Sequence, residues 1–158
     1  MFVWQKFKEP FYRDWARRRR GRRLDEVGGY GSEPKAAQGR ALGYLIDHEA
    51  IILEIVLLTT AGFANKLRSG GGLEAFEDPP GIEAVMPHNM SAAQAVSRIK
   101  ITRICVSEDS RIGMAYLEIQ GECAWDPEHG FEVVLHRDRV VAVHQQGTGW
   151  RDTGRRRR

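Results

Sequence analysis

Trp125-Asp126-Pro127-Glu128-His129-Gly130 gathers two carboxylates, an imidazole and an indole into six positions. Asp126, Glu128 and His129 could act as metal ligands or as an acid/base set, which is the chemistry of a metal-dependent hydrolase. Sequence neighbours in a turn point in different directions, so such a site also requires His48, His88, His136 or His144 to converge from separate elements. The same residues satisfy a structural account. Asp126 can accept hydrogen bonds from amides two or three residues on, Pro127 presets φ for a type I turn, and Gly130 supplies a positive φ where the next strand begins. Trp125 then packs as a core or rim aromatic. These preferences explain the residue types without a ligand. We therefore assign no catalytic residue, no metal and no cofactor, and take Trp125, Asp126, Glu128, His129 and Gly130 as an interaction turn.

The stronger catalytic signatures are missing from the chain. No GxGxxG follows a predicted strand, no GxxxxGK[ST] occurs, and Asp47-His48-Glu49 lacks the second histidine of a zinc-protease helix. No nucleophile elbow is present. Cys105 and Cys123 are too few for a disulfide framework or a four-sulfur zinc site. Both read as reduced, buried strand residues of a cytoplasmic protein. The apolar run Ile51-Ile52-Leu53 is cut by Glu54 before Ile55 to Leu58, short of the ~20 residues of a membrane span. Met1 to Lys6 lacks the order of a signal peptide, and no membrane partner is expected.

With 158 residues, 42% hydrophobic and 28% charged, the chain has the composition of one globular domain. Its formal charge of +3 conceals a separation. Residues 1–23 hold nine Lys/Arg, among them Arg17, Arg18, Arg19, Arg20, Arg22 and Arg23, against two acids, or +7. Residues 151–158 hold five Arg against Asp152, or +4, which leaves 10 basic and 18 acidic residues, or −8, in 24–150. An acidic body with arginine-rich ends differs from a uniformly basic nucleic-acid binder. The arginine runs read as solvated, self-repelling segments, or as a salt-sensitive, non-specific polyanion site.

Three regions follow: a basic, aromatic segment and flexible linker over 1–31, one domain over 32–150, and an arginine-rich tail over 151–158. Phe2, Trp4, Phe7, Phe11, Tyr12 and Trp15 make the first segment apolar enough to dock on the body. Ser32 is the expected N-cap of a helix with the stripe Ala37, Ala41, Tyr44, Leu45 and His48. A break at Asp47-His48-Glu49 precedes a second helix reaching about Leu67 and closed by Ser69-Gly70. Residues 73–90 read as an irregular crossing loop, and Ser91 caps a short helix through Ser97. The period then changes to two. Strands follow from Ile99, with turns expected at Glu108-Asp109-Ser110, at Asp126 to Gly130 and at Arg137-Asp138. Short connections favour an antiparallel meander. The predicted fold is α+β, an N-terminal helical pair packed on a C-terminal antiparallel β-meander.

Cys123-Ala124-Trp125-Asp126-Pro127-Glu128-His129-Gly130, with Val133 following, resembles the C-x-W-D-x-E-H-G signature of a bacterial domain family of unknown function. The helix Gln38-x-x-Ala41-Leu42-x-Tyr44-Leu45-Ile46 and the strand Gly113-Met114-Ala115-Tyr116-Leu117 are similar to that family's layout, and the likeness spans about residues 33–144. Val143 to Thr148 departs from the glycine-rich acidic segment that follows the last strand in members. The resemblance implies a small α+β domain with no established activity, similar in size and class to immunity proteins that neutralise toxins. The leading expectation is thus a non-catalytic interaction module whose acidic body meets an unknown, basic protein partner. A metal-dependent hydrolase and a polyanion binder remain as alternatives, and the oligomeric state is open.

Overall fold

Two helical stripes open the fold. The computed structural model describes residues 35–70 and 81–148. Helix α1, Ala36–Asp47, buries Ala41, Leu42 and Leu45, and α2, Glu49–Arg68, buries Ile52, Val56, Leu57, Thr60, Ala61 and Ala64, both at the spacing of one helical face. The helices part at His48, as its neighbours predict, with φ −121° and ψ 21°. The His48 ring stacks on Tyr44 at 4.0 Å between centroids. Helix α1 starts at Ala36 rather than just after Ser32: Lys35 is the N-cap, and Gln38 Oε1 accepts from the Lys35 amide at 2.9 Å. Ser32, Glu33 and Pro34 lie outside the described residues. Glu54 does not interrupt α2, because it sits on the exposed side of a continuous 20-residue helix. By length and composition alone α2 could cross a membrane; here its six buried side chains line the core.

Part of the predicted crossing loop is helical. A single turn, α3, spans Ile82–Val85, and Asn65 of α2 holds the following segment by donating to Met90 O at 3.0 Å and accepting from its amide at 2.6 Å. Helix α4, Ala92–Ala95, has the expected Ser91 cap, whose hydroxyl accepts from the Gln94 amide. It ends two residues before Ser97.

Four strands then form an antiparallel meander in the order β1-β2-β3-β4: Ile99–Arg111, Met114–Cys123, Asp126–His136 and Arg139–His144. Glu108-Asp109-Ser110 is not a turn. It lies within β1, where a shift between Val106 and Ser110 lets extra residues bulge out. The chain reverses at Ile112-Gly113, with φ of 49° and 71°, as a two-residue hairpin requires. Arg137-Asp138 turns between β3 and β4 as predicted. Alternation along β2 sends Ala115, Leu117, Ile119 and Cys123 to the helices, where they meet Phe131, Val133 and Leu135 of β3 in one core. The architecture is α+β, with the helical pair followed by the sheet.

Candidate functional site

Two glycines shape the corner where β2 passes into β3. Cys123 pairs with Asp126 and Gly121 with Phe131, so only Glu122 on β2 faces residues 127–130 on β3. The expected connection from Asp126 to Gly130 is therefore corrected. Ala124-Trp125 makes the turn, and Asp126 to Gly130 are the bulged start of β3. Gly130 has φ 68°, and a Cβ there would stand 2.1 Å from Gly121 O. A Cβ on Gly121 would stand 2.3 Å from Lys100 O and 2.7 Å from Phe131 Cε1. Neither position tolerates a side chain, because β1, β2 and β3 meet there at backbone contact.

Asp126 locks the bulge. Its Oδ1 accepts from the His129 amide at 3.1 Å and contacts His129 Nδ1 at 2.9 Å, and Oδ2 accepts from Gln145 Nε2 at 2.7 Å. With Nδ1 protonated the imidazole donates to the carboxylate, an arrangement that fixes the ring and leaves Nε2 outward. The Asp126 side chain is 18% exposed and that of His129 57%. Trp125 is half-buried against the core, and Glu128 is exposed. Beneath them, burial pushes the Cys123 thiol up to about 11. The predicted turn residues are thus brought together, with Asp126 as the strut and Glu128 and His129 at the surface.

The other histidines make their contacts elsewhere, although His144 adjoins Gln145, which holds Asp126. His48 is stacked on Tyr44, His88 contacts Arg68, and His136 reaches Arg111 O at 2.9 Å. His144 Nδ1 lies 3.8 Å from Glu132. Among the described residues no three His, Cys, Asp or Glu side chains are grouped to hold a metal ion. Arg17, Arg18, Arg19, Arg20, Arg22 and Arg23 lie outside the described residues, as does 151–158.

Sequence reasoning missed Gln145, the residue that ties the end of β4 to Asp126, because no local pattern marks a contact across 19 positions. It also missed Glu132, which is 4% exposed in the middle of an otherwise apolar run. The signal was available: a strand without alternation is buried on both faces. Of the 18 acids in 24–150, Asp25, Glu26, Glu33, Glu74, Glu77 and Asp78 fall outside the described residues, and the described ones comprise 12 acids and 10 Lys/Arg.

Residues 26–150 match the family described as Domain of unknown function (DUF6985). The chain belongs to that family. The DUF6985 match takes in both long helices, the whole sheet and the Asp126 corner, and so extends slightly past both ends of the resemblance seen in the motifs. No curated protein and no solved structure matches the chain.

Proposed function

We propose that this DUF6985 member is a non-catalytic protein-interaction module of the immunity type, which meets a cationic partner protein through the corner built on Asp126. One observation supports this reading above others: the carboxylate best placed for chemistry is already engaged by three contacts to His129 and Gln145, while Glu128 and His129 stand exposed on a bulge that Asp126 ties down and that two glycines let pack at backbone contact. Three of the roughly four lone-pair sites of Asp126 are engaged, which leaves the carboxylate itself little capacity to act as a base or metal ligand. A rigid corner with a half-buried indole and a free carboxylate instead suits recognition, where preorganised anchors supply affinity and charge steers encounter. The immunity assignment adds to this only size and α+β class.

The test is affinity capture with the full chain immobilised, comparing wild type, Glu128→Lys and Trp125→Ala in a lysate of the source cells at low and high salt. Retention of one basic protein, weakened about tenfold or more by either substitution and by salt, supports the reading. Equal retention by all three proteins would remove the corner from the interface. A metal-dependent hydrolysis lost in His129→Ala would replace the proposal with the enzymatic one.

A further inference from the structure

The sheet has a second face. Alternation and register put Cys105 of β1, Tyr116, Glu118 and Gln120 of β2, and Glu132 and Val134 of β3 on the side away from the helices. Val134 is 0% exposed and Tyr116 3%, yet neither belongs to the core to which all four described helices contribute. Acids border this apolar centre. Burial and the neighbouring Glu132 carboxylate push Glu118 upward, with Asp109 adding to the effect. Arg103 of β1 and His144 of β4 share the face and offset these acids only in part, since Glu118 is still pushed upward, so the face suits a cover that is aromatic and adds positive charge.

We propose that the outer face of the sheet is the docking site of the chain's own N-terminal segment, residues 1–23, with its aromatic side chains on Tyr116 and Val134 and its arginines toward Glu118 and Glu132. The point of entry supports it. Gln38, in the first turn of α1, donates to Ser107 O at 3.3 Å, and the Ser107 hydroxyl is hydrogen-bonded to Glu118. The chain preceding Lys35 therefore starts from the rim of this face. The 11 residues from Leu24 to Pro34 span ~20 Å even as a coil, more than the ~14 Å breadth of four strands. Composition agrees, since residues 1–23 combine six aromatic side chains with a charge of +7. The other stretches outside the described residues fit less well. Residues 71–80 carry three acids and no Lys or Arg, and in sequence join Gly70 to Gly81, between α2 and α3. Residues 149–158 hold five Arg but only one aromatic, Trp150; they follow Gln146, which bonds Gln120 at 3.3 Å at the Asp126 end of this face, away from Tyr116 and Ser107.

Cys105 is the reporter, because it lies half-buried on this face while Cys123 is sealed in the core. Labelling with a disulfide reagent is followed in the full chain for wild type, for Trp4→Ser/Phe7→Ser/Phe11→Ser, for Arg17→Glu through Arg20→Glu, and for Trp150→Ser with Arg155 to Arg158 changed to Ser. Docking of the N-terminal segment requires Cys105 to react about tenfold faster in the first two variants and at the wild-type rate in the third, with Cys123 unreactive throughout. Equal Cys105 rates in wild type and both N-terminal variants overturn the proposal, as does acceleration by the C-terminal variant alone. If an N-terminal variant unfolds, shown by reactive Cys123, carbodiimide cross-linking of the wild type decides. A link from Lys6 or Lys8 to Glu118 or Asp109 supports docking, and links from those lysines only to acids elsewhere, or none, refute it.

Discussion

Replacing Gly130 with alanine should be far more damaging than a glycine-to-alanine change elsewhere with the same backbone conformation. Two terms add. A residue other than glycine at φ 68° costs about 1–2 kcal/mol in the left-handed region. The new Cβ would also lie 2.1 Å from Gly121 O and 3.1 Å from its carbonyl carbon. These are backbone atoms of a paired strand and cannot rotate away, so relief requires the bulge to move and costs a further ~1–3 kcal/mol, as overpacking does. The sum, about 2–5 kcal/mol, corresponds to a loss of roughly 10–20 °C in Tm for a domain of this size. Gly147 is the control, since it has φ 87° with nothing within 4 Å of a built Cβ. Gly147→Ala should lose only the conformational term, roughly 5 °C. Circular dichroism during heating, with urea unfolding to verify an unchanged m value, measures both. Equal losses in the two variants would show that the β2–β3 corner is not at backbone contact, and the claim of a rigid platform would go with it.

Asp126→Ala should cost about 1–3 kcal/mol by leaving the His129 amide and the Gln145 side chain without their acceptor, and more than Gln145→Ala. In urea unfolding the double variant should fall short of the sum; full additivity would mean the two residues are not coupled. Ile112, β-branched, 80% exposed and at φ 49°, should gain about 1 kcal/mol when changed to Asn, which suits this hairpin position, and an unchanged or lower Tm would contradict the turn assignment. Native Cys123, raised from 9.0 to about 11, holds its proton more tightly than the unfolded thiol. Its contribution to stability is therefore complete below pH 9 and lost as pH rises through about 11, and alkaline denaturation should show that loss. Alkylation of native Cys123 at pH 8 at the rate of a free thiol would contradict it.

Much of the fold was legible because local rules and tertiary packing agree. The Ala37–Ala41–Tyr44–Leu45 stripe, the break at His48, the glycine stop at Gly70 and the Ser91 cap each follow from side-chain spacing or backbone preference within a few residues, and each stands in the structure. The misplaced turns show where that agreement ends. Glu108-Asp109-Ser110 has the composition of a turn, yet β1 runs through it, because pairing with β2 and a bulge absorb polar residues that alone would reverse the chain. Asp126 to Gly130 likewise has turn chemistry, and its Asp126 contact to the His129 amide forms as that chemistry predicts. Register against β2 nevertheless makes it a bulged strand.

The order of residues by itself determined the α+β class, the meander, the family and the importance of the hexapeptide around Asp126, since periodicity, glycine placement and short connections are properties of neighbouring positions. Tertiary structure alone decided what that hexapeptide is. Gln145 reaches Asp126 from another strand, Gly121 O closes on Gly130 from a third direction in sequence, and Val134 and Glu132 are buried on a face away from the helices. Contacts between distant positions depend on register and on what covers each side of the sheet, and neither quantity is written in any local run of residues.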